Sequence, residues 1–286
     1  MKILILGLGK SGTTALVYKI AAGRPGCRAF SGGRPGKHIG DYPDAVYKHT
    51  YSARKGKDFE LYREHLRHEH YDRKIWMARD PRDAAVSRML YRWHRGIFGH
   101  RQQYQAHLER VLRKERTPRA LSFAEVCRYS GHDGFPRPVE AVVEGERERY
   151  REMVEFVGGL GPDWHLFTFE QMGARDFDGL NAYLGFRVGE ETEIPPSTGK
   201  AKVIRKKATG DWRHWFTEED VALFGDVYRP YMELIGYDTG DWRLAADPVI
   251  EPRFSSGYMQ SLPERLKRDT AARIRNQAFG LFRKRA

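Results

Sequence analysis

Residues 7–14 read GLGKSGTT and follow an apolar run, KILIL, at residues 2–6. From Thr13 to about Ala22 the apolar residues recur at helical spacing. A glycine-rich turn between a strand and a helix is a place to hold an anion, and three chemistries compete for it. Gly7, Gly9 and Gly12 have the spacing of a dinucleotide-binding GxGxxG. That site wants an acid about 20 residues on for the ribose, and residues 27–34, CRAFSGGR, hold none, which leaves only an arginine-lined variant standing. A Walker A loop needs Lys directly after its last Gly, whereas Lys10 precedes Gly12. The third chemistry is a phosphate loop in which Gly9, Lys10, Ser11, Gly12, Thr13 and Thr14 act together. Backbone N–H groups at a helix N-terminus point at an anion, and the helix dipole favours it. Gly12 permits close approach, the Thr13 and Thr14 hydroxyls donate, and Lys10 adds charge. The plainer alternative is that the two threonines only cap the helix.

Two further segments carry anion-binding residue types. Residues 77–88 read MARDPRDAAVSR, with Arg79 at the end of an apolar run and Ser87 eight positions on. Residues 205–216 read RKKATGDWRHWF, with Arg205, Lys206 and Lys207 ahead of Gly210-Asp211-Trp212. Arginine presents a planar fork matched to phosphate. Alone, Arg79 would pair with Asp80 or Asp83, Ser87 would be a small packing residue, and the basic triplet a solvated charge run.

Together the three segments resemble those of the sulfotransferases that use 3′-phosphoadenosine 5′-phosphosulfate (PAPS). The family's 5′-phosphosulfate loop typically reads P-K-S-G-T-T-W, and residues 10–14 reproduce its KSGTT core. Gly9 stands for the Pro, and Ala15 for a Trp that in many members stacks on adenine, so the adenine platform comes from elsewhere. The family's 3′-phosphate segment has an Arg at a strand end and a Ser eight residues on, here Arg79 and Ser87. Its C-terminal signature is close to R-K-G-x-x-G-D-W-K-x-x-F, matched by Arg205, Lys206, Gly210, Asp211, Trp212 and Phe216, with Lys207 in place of the Gly. Residues 167–170, FTFE, resemble the late strand that commonly ends in Tyr-Glu-Asp. The likeness runs over about residues 1–237.

The resemblance implies PAPS as co-substrate and no metal. The loop would hold the 5′ end; Arg79, Ser87 and residues 205–207 would hold the 3′-phosphate. Lys10 would neutralise the leaving oxygen in an in-line sulfuryl transfer, which depends chiefly on positioning and electrostatics, as phosphoryl transfer does. The acceptor must lose a proton, and cytosolic members use a His in a strand K-x-H pattern. Here Lys48 and His49 are adjacent, and strand side chains alternate faces, so both cannot point inward from a regular strand. A bulge at His49 would remove the objection. A satisfied or solvated His49 is the competing reading, and His38, Asp41 and Glu60 flank the same region.

These residues need elements to position them. The sequence predicts strands at 2–6, 27–30, 45–50, 74–78 and 164–169, and helices at 13–22, 58–70, 81–93, about 101–116, about 139–157 and 217–235. Residues 31–44 and 187–210 read as loop. Strands alternating with helices predict an α/β fold: a central parallel β-sheet flanked by helices, a P-loop NTPase-like three-layer sandwich. The expected division is a sulfotransferase domain at 1–240 and a basic extension at 241–286. Its segment 261–286 has a net charge of +6, and Leu266, Ile274, Ala278, Leu281 and Phe282 can share one helix face. Packing of that face on the domain or a second subunit is the favoured reading; the competing one lays it on an anionic membrane surface.

The chain has 286 residues, enough to bury a sizeable core. Cys27 and Cys127 lack metal-site spacing and fit a reducing, cytoplasmic compartment. The apolar start is too short for a signal peptide or a membrane span. The net charge of +12 suits an anionic ligand without identifying one. A nucleotide kinase would explain the loop and not residues 205–213. A nucleic-acid-binding protein would explain the charge and leave the three segments as coincidence, so no nucleic acid is expected as partner. The acceptor, a hydroxyl or an amine, is unnamed by the sequence: glycan, lipid headgroup and small phenol or alcohol are all open. The polar, His- and Arg-rich segments 31–75 and 94–138 lean toward a glycan.

Overall fold

The apolar run at the start of the chain becomes the middle strand of a sheet. The computed structural model describes residues 1–33, 42–51, 57–94, 97, 100–131, 135–195 and 209–268. In chain order its elements are β1 (Lys2–Leu8), α1 (Thr13–Ala22), β2 (Arg28–Gly33), β3 (Ala45–Tyr51), α2 (Lys57–His68), β4 (Arg73–Ala78) and α3 (Pro81–Tyr91). They continue with α4 (Arg101–Arg116), α5 (Phe123–Cys127), α6 (Val139–Gly158), β5 (Trp164–Thr168), α7 (Phe169–Ala174), α8 (Asp178–Leu184), α9 (Trp212–Trp215) and α10 (Glu218–Ile235). The five strands are parallel and ordered β2-β3-β1-β4-β5. The expected α/β class with a central parallel sheet is therefore observed.

Alternation along β1 divides the core in two. Ile3 and Ile5 face α1 and α8, packing with Leu16, Val17, Ile20, Leu180 and Leu184. Leu6 and Leu8 face the opposite side, with Trp76, Tyr51 and residues of α3, α4, α6 and α10. Both faces of the central strands are covered, which is why β1 and β4 read as unbroken apolar runs. The chain leaves β1 through α1 toward the β2 side of the sheet, and leaves β4 through α3 on the other face. Adjacent parallel strands whose exits diverge in this way open a crevice at their carboxyl ends, where α/β sheets bind ligands.

Local chemistry sets the helix ends. The Asp80 carboxylate accepts the Arg82 N–H at 2.9 Å and Pro81 occupies the first turn of α3. Thr217 and Asp220 form a reciprocal capping box on α10. Asp220 also accepts the N–H groups of Phe123 and Ala124, at 2.7 and 2.9 Å, and so caps α5. The second strand begins and ends later than the sequence predicts, at Arg28–Gly33, with a register irregularity between Phe30 and Gly33.

Beyond residue 240 the chain does not leave the core. Ile250, Tyr258, Met259 and Leu262 are buried in the cluster that holds Trp76 and Tyr228, and Leu266 packs against it. The Tyr104 hydroxyl donates to the Met259 carbonyl at 2.8 Å, and Glu115 accepts from the N–H and the hydroxyl of Ser256, both at 2.8 Å. The helix here starts at residue 256, ahead of the segment 261–286 that the sequence singles out. Ile274, Ala278, Leu281 and Phe282 lie outside the described residues. Among the described residues no helix is long and apolar enough to cross a membrane.

Candidate functional site

The loop between β1 and α1 sits in the crevice between the β1 and β4 exits, and its glycines are unequal. A Cβ on Gly7 would lie 2.4 Å from the Met77 carbonyl oxygen, so β1 approaches β4 too closely there for any side chain. Gly12 has a φ of +93°, and a Cβ on it would lie 2.7 Å from a Phe169 ring carbon. Gly9 is outside the left-handed region, and its Cβ would meet only a Thr50 methyl at 3.6 Å. Nothing in the packing therefore requires glycine at position 9.

Gly12 is the N-cap of α1 and no side chain caps the helix. Ala15 and Leu16 donate the first intrahelical bonds, to the Gly12 carbonyl. The N–H groups of Gly12, Thr13 and Thr14 precede that ladder and face the helix end, the arrangement that favours an anion. The hydroxyls divide differently from the expectation. Ser11 is buried and its hydroxyl donates 2.8 Å inward to the Leu8 carbonyl. Thr13 is buried as well. Thr14 is the half-exposed one.

Lys10 has a φ of +83°, an uncommon conformation for a residue with a side chain. Strain of this kind persists only where the surroundings hold it, and Arg79 supplies part of that hold. Its Nη1 donates to the Lys10 carbonyl at 3.1 Å, and its guanidinium lies 4.3 Å from the Phe169 ring centroid. The Lys10 ammonium is 3.7 Å from the Tyr91 ring centroid, and His94 stacks on the same tyrosine. The first two candidate segments are thus in direct contact.

Asp80 pairs with Arg82 at 2.7 Å, and its N–H donates to Glu170 at 3.2 Å. Glu170 also accepts from the Tyr237 hydroxyl, and burial raises its pKa. Ser87 is half-buried on α3, four residues past Asp83 and four before Tyr91, so these three side chains share one helix face. Asp83 accepts the N–H groups of Gly210 and Trp212, at 2.7 and 3.0 Å. The third segment is thereby tied to the second. Arg205, Lys206 and Lys207 lie outside the described residues, as do His38 and Asp41.

Lys48 and His49 do not come together. In parallel register Lys48 is level with Ile5, on the α1 side, and His49 with Leu6, on the other. The strand carries no bulge at His49, so the alternation that opposed a shared direction holds. His49 is 1% exposed, between Tyr62 and His65. Its Nδ1 has no hydrogen-bond partner among the described residues. Burial, reinforced by His65 and Lys48, pushes its pKa down to about 3. Glu60 is exposed on α2.

Sequence reasoning gave Asp83 no role beyond pairing with Arg79, and it missed Tyr91 and Thr50. The signal for Asp83 was its four-residue spacing from Ser87. Tyr91 and Thr50 carried none, because their place beside Lys10 and Gly9 comes from tertiary packing. Among the described residues no group of three or more His, Cys, Asp or Glu is placed to hold a metal ion. A cavity of about 450 Å³ lined by Thr117–Ala120 and Ala246–Pro248 shares no residue with this site. No protein-family model, curated protein or solved structure matches the chain.

Proposed function

We propose that the chain is a sulfotransferase that binds PAPS over the carboxyl ends of β1 and β4, on a P-loop-like α/β fold, and passes the sulfuryl group to an acceptor hydroxyl or amine. The observation that carries this reading is convergence. Segments 10–14, 79–87 and 210–212 are far apart in sequence, and side chain-to-backbone bonds from Arg79 and Asp83 join them at one crevice. A nucleotide with a phosphate at each end of its adenosine needs such a pair of anchors. A site for one phosphate chain needs only the first.

In this reading the N–H groups of Gly12, Thr13 and Thr14 receive the 5′-phosphosulfate, with Thr14 the hydroxyl best exposed to it. Arg79 and Ser87, with Arg205, Lys206 and Lys207, receive the 3′-phosphate. Lys10 leaves the Tyr91 ring to meet the bridging oxygen. The acceptor atom bonds to sulfur, the bond from sulfur to that oxygen breaks, and the negative charge it gains is balanced by the Lys10 ammonium. Such stabilisation, stronger in the transition state than before it, raises turnover. The acceptor's proton needs a base. His49 has the right protonation state, neutral, and the wrong environment, since it must leave its aromatic packing to meet an acceptor. Lys48 faces the opposite side of the sheet and takes no part.

Isothermal titration of adenosine 3′,5′-bisphosphate against ATP, NADP and RNA tests the reading. Bisphosphate should bind at least about tenfold more tightly than the others, since one charge-assisted bond at the 3′ end is worth about 1.5–3 kcal/mol. Equal or tighter binding of ATP would move the chain to the phosphotransferases. Binding of RNA alone would make it a basic nucleic-acid binder.

A further inference from the structure

The buried carboxylate of Asp83 is costly to keep. It is 1% exposed, and burial is the largest influence on it, raising its pKa to about 6. Arg79 and the N–H groups of Gly210 and Trp212 favour the anion, and Asp80 opposes it. On the element packed against it, Arg213 is engaged with Asp241 and lies 4.6 Å from the Trp212 ring centroid. The folded protein thus holds a proton on Asp83 more tightly than an ordinary carboxyl would, so its charge at neutral pH works against folding. A buried ionised group that does not favour the fold is a candidate for function.

Its contacts indicate which function. One oxygen takes the Gly210 N–H and the other the Trp212 N–H, so the carboxylate grips both sides of Asp211. Trp212 is buried, and the Arg82 guanidinium lies 4.0 Å from its ring centroid. On the same helix face come Ser87 and then Tyr91, which carries the Lys10 ammonium. We propose that Asp83 is the positioning residue of this crevice: as an anion it clamps the Gly210–Trp212 turn onto α3 and keeps Arg79 beside it, so that the 3′-phosphate meets a preformed site. This rests on the PAPS reading for the ligand and on the observed bonds for the clamp.

The test uses the full chain and has a ligand-free arm and a ligand arm. Hydrogen exchange of the Gly210 and Trp212 amides is measured by NMR in the wild type at pH 5 and pH 7.5, and in Asp83→Asn at pH 7.5. Binding of adenosine 3′,5′-bisphosphate is compared with that of AMP, which lacks the 3′-phosphate. The amide variant keeps the shape and turns a donor toward one of the two N–H groups. Protection factors should fall at least about tenfold in Asp83→Asn, and also in the wild type on going to pH 5. The preference for bisphosphate over AMP should fall about tenfold, while the variant melts no lower than the wild type at pH 7.5. Unchanged protection, or an unchanged preference where the wild type does prefer the bisphosphate, overturns the proposal. Losses of affinity and melting temperature in step would show a merely structural residue and overturn it too. Should Asp83→Asn fail to fold, the wild-type comparison at the two pH values decides: protection independent of pH refutes the clamp. A wild type that prefers neither nucleotide, yet shows Asp83-dependent protection, defeats the sulfotransferase reading and leaves the clamp standing.

Discussion

Gly12→Ala should damage the protein and Gly9→Ala should not, although the two lie in the same loop and in the same GxGxxG spacing. At Gly12 two effects add. A side chain at φ +93° adopts a left-handed backbone, at about 1–2 kcal/mol. The new methyl would also lie 2.7 Å from Phe169 Cδ2, 3.0 Å from Met172 Cε and 3.1 Å from Met77 Cε. Relieving overlaps of that kind typically costs about 1–3 kcal/mol. The total is about 2–5 kcal/mol, which in a chain of this size lowers the melting temperature by roughly 5–15 °C. Phe169 cannot move without disturbing the Arg79 guanidinium packed on it, so anion binding should fall as well. At Gly9 the methyl makes one ordinary contact, at 3.6 Å, and stability should stay within about 1 kcal/mol of wild type. Thermal unfolding followed by tryptophan fluorescence measures both variants, and titration with adenosine 3′,5′-bisphosphate follows on each. A Gly12→Ala protein melting within about 2 °C of wild type, or equal losses in the two variants, would refute this account of the loop.

Lys10→Ala should lower turnover more than it lowers affinity for the bisphosphate, read by steady-state kinetics beside calorimetry; equal losses would assign Lys10 to binding alone. Arg79→Ala should weaken bisphosphate binding by about tenfold or more and AMP binding much less, and equal losses would show that Arg79 does not read the 3′-phosphate. His49 and His107 are both buried, and burial lowers both pKa values to about 3. Each stays neutral in the fold and takes up a proton on unfolding below about pH 6.5, so together they should remove about 2.7 kcal/mol of stability per pH unit as pH falls from about 6 to 4. Asp83 acts oppositely: its raised pKa favours the fold as pH falls through about 6 toward 4. Urea melts between pH 4 and 7 should therefore show a steeper acid loss in Asp83→Asn than in wild type, and parallel profiles would contradict the assignment.

The strands and long helices were legible because period and capping agree. Residues 2–6, 74–78 and 164–168 are strand in both readings, and Thr217 at the predicted helix start caps α10. The late end of β2 was not legible, because Gly32 and Gly33 argue for loop, and only pairing of Gly33 with His49 of β3 makes it strand. At the site, the glycine-rich loop after β1 and Arg79 could be singled out from residue type and spacing. The Arg79 bond to the Lys10 carbonyl, the inward Ser11 hydroxyl and the Asp83 bonds could not, since each is a side chain-to-backbone contact whose backbone partner leaves no mark in sequence. His49 shows the reverse: the alternation rule already set it against Lys48, and the flat register of β3 keeps it so.

The sheet is built from its middle outward, and that orders its assembly. β1 precedes both of its neighbours in the chain, and they arrive only at Ala45–Tyr51 and Arg73–Ala78. A chain that has reached residue 72 and no further offers KILIL with one edge unpaired and both apolar faces only partly covered. Exposed strand edges of that kind recruit other chains. Fragments ending before β4 should therefore self-associate, and in the growing protein the same stretch is a natural client for a chaperone until Trp76 and Met77 close it.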